Sequence, residues 1–238
     1  MLTRVLMVGL LAGVLAGLAI AILQQATTTP LILAAEVYEK AGEKPAIIVG
    51  SAAEPKAHHH DHAAHDEGWK PADGLPRLFY TAIATIATAV GISFLLMAGM
   101  LFAGDPIDER RSLAWAVAGF VAAGLAPAAG LAPELPGSAA GDLIGRQVWW
   151  IGTAIATALA LWLFLRADNL LARLASIVVL LAPHVIGAPH SHAFESRVPA
   201  ELAAQFTALS LVVQALLWAF AGIAVGLLWP GFAPRPAT

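Results

Sequence analysis

The sequence predicts an all-α, polytopic membrane protein: a bundle of five to six transmembrane helices carrying one long extramembrane loop. Three observations lead there. Hydrophobic residues make up 59% of the 238 positions and charged residues only 12%, about half the charge density of a soluble domain. The mean hydropathy is +0.76. Charges fall in clusters separated by apolar stretches long enough to cross roughly 30 Å of hydrocarbon, about 20 residues each. Thirteen Lys and Arg against sixteen Asp and Glu leave a net charge of -3, so no basic excess exists to hold a nucleic-acid backbone. No Cys is present, which removes disulfides, thiolate metal sites and cysteine nucleophiles; a bound metal would be held by His nitrogen or by oxygen.

Taken in order, the uncharged stretches are 5–23, 78–103, 112–133, 148–165, 174–189 and 202–229. Five are full-length spans. The stretch 174–189 has only 16 residues, contains His184, and is punctuated by Pro183, Gly187 and Pro189. It spans only if Leu170 and Leu171 are included, and is otherwise re-entrant.

The first span carries Gly9, Gly13 and Gly17 at a spacing of four, which lines one helix face with small residues and lets a neighbouring backbone approach closely. Its 19 uncharged residues exceed the apolar core of about 7–15 in a cleaved signal peptide, so it is expected to be retained. Thr27 to Pro30 then reads as a helix start, with Thr29 as cap and Pro30 in the first turn. It leads into a surface segment, Leu31 to Ala41, that bears Glu36, Tyr38 and Glu39.

Residues 24–77 form the long polar insert in an otherwise single membrane domain spanning 1–238. The insert holds eight acidic residues, five basic residues and five of the eight His. Its middle, HHHDHAAHDE at 58–67, has low complexity and no apolar periodicity. His58, His59, His60, His62 and His65, flanked by carboxylates, suit borderline divalent ions such as Co²⁺, Ni²⁺, Cu²⁺ and Zn²⁺, without choosing among them by affinity. Two roles fit the tract, metal capture or an inert solvated stretch.

Counting Lys and Arg in short loops sets the orientation. With both termini inside, the inner side receives Arg4, Arg110, Arg111, Arg166, Arg173 and Arg235, and the outer short loops only Arg146 and Arg197. The His tract, Glu134 in GLAPELPG (130–137), and His184, His190 and His192 in PHVIGAPHSH (183–192) then share the outer face. Polar groups at membrane depth are costly and face a cavity or a partner. His184 is therefore either a metal ligand or a histidine satisfied within the bundle, and Glu134, on a Pro-rich turn, either a site carboxylate or a surface one. Trp149 and Trp150 read as interfacial anchors. No GxxxxGK[ST] loop is present, and His184 is the sole His within a candidate span, too few for a pair of axial haem ligands. An enzyme is therefore not expected.

The ordered set formed by the Gly-rich first helix, Pro30 to Glu39, the His-rich insert, GLAPELPG, RQVWW (146–150) and PHVIGAP (183–189) resembles the CbtA family of predicted cobalt transporter subunits, which is linked in bacteria to cobalamin metabolism. The resemblance covers nearly the whole chain. It implies one component of a cobalt permease in the bacterial inner membrane, with Co²⁺ as cargo and no permanent cofactor, working with a small single-span partner that also carries His near a terminus. Family members are described with five spans, against six candidates here. The expected path is capture of Co²⁺ at the outer His tract, transfer to a site near Glu134, His184 and His190, and passage between helices; Glu36 and His192, which lies further into the outer loop, are further candidates. An accessory or sensing subunit without a path of its own would carry the same His loop.

Overall fold

The computed structural model describes residues 1–43, 71–138, 141–190 and 196–232. His58, His59, His60, His62, His65 and His192 therefore lie outside the described residues. The helices are α1 (Leu2–Ala26), α2 (Thr28–Glu43), α3 (Leu75–Ala103), α4 (Glu109–Ala128), α5 (Leu143–Arg166), α6 (Leu170–Ile186) and α7 (Ala200–Gly231), and no strand occurs among the described residues. Five of them, α1, α3, α4, α5 and α7, are long and apolar enough to cross a membrane. The segment 24–77 thus contains the end of α1, all of α2 and the start of α3.

Helix boundaries follow local chemistry. The Thr27 hydroxyl donates to the Leu23 carbonyl at 2.8 Å, and the backbone leaves the helical region at Thr27, so α1 and α2 are separated by one residue. Gly104, at φ 69°, ends α3 in the left-handed conformation that glycine adopts without strain. Asp108, Asp142 and Asn169 cap α4, α5 and α6 by accepting the amide hydrogens of Arg111, Gly145 and Ala172. The expected break at Pro183 does not occur. Helix α6 starts at Leu170 and runs through Pro183 to Ile186, stopping at Gly187 with φ 88°. Proline removes a single amide donor, and in the last turn of a helix that loss is small. With 17 residues, α6 is about 25 Å long, slightly short of the hydrocarbon thickness.

Two close seams hold the body together. In the first, a Cβ at Gly13 would lie 2.3 Å from the Val90 Cα, so α1 and α3 touch backbone to backbone. In the second, Gly226 of α7 meets Glu109 and the Asp108 carbonyl at the start of α4. Between the seams, Ile20, Ala89, Leu96, Ala116, Leu217 and Ala221 form one buried cluster. The hairpin α5–α6 stands apart: among the described helices α6 packs its backbone on α5 alone, and α5 rests on α4.

Both ends of the described chain reach the same end of the bundle, since the Arg4 guanidinium lies 3.9 Å over the Trp229 ring and donates to the Trp229 carbonyl at 3.1 Å. Ile107, in the loop between α3 and α4, shares the buried cluster of Val8 and Trp229 at that end. That loop leads into Arg110 and Arg111, the charges expected to be retained on the inner side. Because the native chain lacks Cys, single cysteines give a clean topology test. Cysteines at Thr3 and Arg110 are expected to react with an impermeant maleimide from one side of the membrane, and one at His60 from the outside. Labelling of all three from the same side would overturn the orientation.

Candidate functional site

The turn after α4 is built so that helix cannot form. Pro133 and Pro136 bracket Glu134, and Gly137 takes φ 81°. Three contacts fix it. The Thr207 hydroxyl of α7 donates to the Pro133 carbonyl at 3.0 Å. Leu135, 4% exposed, packs with Ala35 of α2 and with Val198. Glu134 itself pairs with Arg146 in the first turn of α5, Nη1 to Oε2 at 2.7 Å. A turn pinned to α2, α5 and α7 holds its carboxylate in one place, as a functional site requires.

Behind that pair lies a cavity of about 530 Å³, lined among others by Gly124, Glu134, Arg146, Gln147, Trp150 and Gln214. Its inner wall is a π-helical segment of α4, Val121–Leu125. A π-turn inserts an extra residue per turn and recurs at functional sites. Here it presents Gly124 to Gln214: a Cβ on Gly124 would lie 2.7 Å from the Gln214 Oε1, so only glycine lets the amide sit against the helix. The chamber therefore offers one carboxylate, one guanidinium and two carboxamides among the described residues.

Of the other described residues singled out as site candidates, His184, His190 and Glu36, none lines this chamber. His184 is half-buried on α6, its ring set edge-on to Trp149 with centroids 5.9 Å apart. The Trp149 indole N–H donates to the Pro183 carbonyl at 3.2 Å, so Trp149 ties α5 to α6, a packing role beside the interfacial one. His190 is exposed after the end of α6. Glu36 makes an ion pair with Arg77, one arm at 3.0 Å, which fastens α2 to α3. Among the described residues no three His or carboxylate side chains converge on a point where a metal ion would sit. The Arg146 partner, the two glutamines and the π-turn went unrecognised in the sequence. Gln214 did leave a signal, as an amide in the middle of a 28-residue uncharged stretch. Pro127, just past the π-turn, left another.

A helical bundle with five full-length apolar helices suits a multi-pass membrane protein. No curated protein and no solved structure matches the chain. The family model for the probable cobalt transporter subunit (CbtA) matches residues 2–230, nearly the whole length, and the chain belongs to that family.

Proposed function

We propose that the chain is the membrane-embedded permease subunit of a divalent metal uptake system, with Co²⁺ as cargo and Ni²⁺ or Zn²⁺ as competitors. It works from the bacterial inner membrane with its His tract outside. His58, His59, His60, His62 and His65 collect the ion; Glu134 receives it, with His184 and His190 as nitrogen donors, and it passes between helices. A small single-span His-containing protein is the partner. The observation that carries this reading is the chamber itself, a 530 Å³ space whose one lining carboxylate among the described residues is Glu134, in a chain belonging to a family of probable cobalt transporter subunits.

The energetics favour inward movement. A divalent ion crossing 100 mV gains about 4.6 kcal/mol, at roughly 2.3 kcal/mol per charge. The Arg146 guanidinium pairs with Glu134, so the two charges balance in the chamber. A doubly charged ion is drawn to the same carboxylate twice as strongly as the single charge of Arg146, and displaces it where oxygens of the chamber replace the water the ion gives up.

The test is Co²⁺ accumulation in proteoliposomes containing the purified full chain, with an inside-negative potential. Uptake above empty vesicles is expected; its absence would favour the accessory or sensing role. In the same assay, replacing the five His of the tract with Ala is expected to lower uptake several-fold at low Co²⁺ and little at saturation. A flexible collector raises the local concentration of cation without forming the path. Loss of maximal uptake would instead place the tract in the path.

A further inference from the structure

A second cavity, of about 290 Å³, is lined by α4, α5 and α7, as the Glu134 chamber is, and also by Leu95 and Leu96 of α3, nearer the end of the bundle that holds Arg4 and Trp229. Trp115, Trp162 and Trp218 line it, with Asp105 and Arg166 where the helices end. Adjacent residues of the π-turn divide the two spaces: Ala122 lines this one, while Ala123 and Gly124 line the chamber. On α7 the divide falls between Trp218 and Gln214, and on α5 between Ala158 and Ile151, about 10 Å of helix.

Polar groups without partners gather at that level. Thr153 and Thr157 of α5 are fully buried, and neither hydroxyl has a hydrogen-bond partner among the described residues. Their spacing of four puts them on one helix face, and Arg146, seven residues before Thr153, shares that face. The opposite face of α5 is the reverse: Ile151, Ile155 and Leu159 are exposed. The best-buried stripe of this membrane helix is thus its hydroxyl stripe, although a buried hydroxyl without a partner is unfavourable. On α4, Pro127 has no amide hydrogen, so the π-turn carbonyl that would accept from it, at Ala122 or Ala123, lacks its helical donor.

The two ends are closed alike. Arg146 at the start of α5 pairs with Glu134 beyond the end of α4, and Arg166 at the end of α5 pairs with Asp105 before the start of α4, at 2.8 Å. Asp105 also accepts from the Trp115 indole N–H at 3.0 Å.

The geometry points to a cation route between α4, α5 and α7 in which Thr153, Thr157, Gln214 and the π-turn carbonyl replace the water of a divalent ion between two Arg–carboxylate gates. The proposal rests on the permease reading. The ion enters at Glu134, exchanges water for these neutral oxygens at the divide, crosses the Trp-lined cavity and leaves at Asp105. Neutral oxygens hold a transiting ion weakly enough to release it, and an apolar constriction stays dry until its gate parts.

The experiment uses the full chain in proteoliposomes with Co²⁺ as the probe and the wild-type chain alongside. Thr153→Val with Thr157→Val keeps shape and deletes both hydroxyls. Uptake is expected to fall at least about tenfold with an unchanged or raised Tm, while the corresponding double Ser variant retains most transport. Wild-type uptake by the Val variant, or an equal loss in the Ser variant, would overturn the hydroxyl role. A second arm needs no transport: Ala123→Cys should react with an impermeant thiol reagent from the Glu134 end and Ala122→Cys from the Asp105 end, each slowed by Co²⁺. Reaction of both from one end, or no protection, would overturn the divided route. A wild-type chain that accumulates no Co²⁺ sinks the permease reading and the route with it, but leaves the divided accessibility of the two cysteines intact.

Discussion

Glu134→Gln is expected to reduce Co²⁺ uptake about a hundredfold while leaving helix content and Tm near their wild-type values. Glu134 is the carboxylate of the chamber and Arg146 its counter-ion, so the substitution changes the local charge from zero to +1. A divalent ion then meets an uncompensated guanidinium. At an effective dielectric constant of roughly 40, between surface-site and bulk-water values, two charges against one at about 7 Å interact by about 2–3 kcal/mol, and each 1.36 kcal/mol is a tenfold change in rate. Fold is spared because the turn is held by Pro133 and Leu135, whose contacts with Thr207, Ala35 and Val198 do not involve the carboxylate. The charge argument makes a second demand. Adding Arg146→Gln to Glu134→Gln restores neutrality and should recover part of the loss, whereas a carboxylate needed as a direct ligand would leave the double variant as inactive as the single one. Uptake by properly inserted Glu134→Gln within twofold of wild type would remove Glu134 from the path altogether.

The spans were legible in the sequence because bilayer thickness demands length and low charge, both of which are local properties. The small-residue face of α1 was legible for the same reason: a spacing of four needs no knowledge of the partner helix. Helix α6 was less so, because Pro183 and Gly187 punctuate it equally in the sequence, yet only Gly187 ends it. Pro183 costs one amide hydrogen bond in the last turn, which the helix tolerates, whereas Gly187 takes a positive φ that no helix continues through. The chamber was half legible. Its turn was marked by Pro133, Pro136 and Gly137, but the partner of Glu134 was not, since Arg146 served in the sequence only as a loop charge. The pairing depends on how α4 and α5 approach, a tertiary property with no periodic trace. The π-turn is hidden for the same reason: VAAGL is as compatible with α-helix as with π-helix, and Trp218 and Gln214 of α7, seated against Gly119 and Gly124, are what hold its register. The expected gathering of Glu134 with His184 and His190 drew on loop membership alone. Loop membership fixes the end of the bundle on which residues lie, not the distance between them.

Gly13→Leu is expected to be the most destabilising single substitution in the membrane region, lowering stability by about 3 kcal/mol, at the upper end of what overpacking costs. The reason is the identity of the atoms that a side chain would meet. A Cβ at position 13 would lie 2.3 Å from the Cα and 2.6 Å from the N of Val90, and backbone atoms have no rotamer through which to withdraw. At Gly9 the first atoms met belong to the Phe94 ring and the end of Met97, which can swing aside, so Gly9→Ala should cost less than Gly13→Ala. Gly91, one residue along α3 from Val90, has nothing within 4 Å of its notional Cβ. Gly91→Ala should therefore be neutral, or stabilising by up to about 1 kcal/mol through helix propensity. Thermal unfolding in detergent across Gly9→Ala, Gly13→Ala, Gly13→Leu and Gly91→Ala orders the four against these expectations. The contrast also bears on the retention of the first helix. An N-terminal segment removed after insertion would make every substitution in it silent in the purified protein. A Tm for Gly13→Leu equal to wild type, with Gly91→Ala behaving as expected, would thus mean that α1 does not pack on α3 in the mature bundle. A graded loss following backbone proximity would fix α1 as the helix on which α3 is laid.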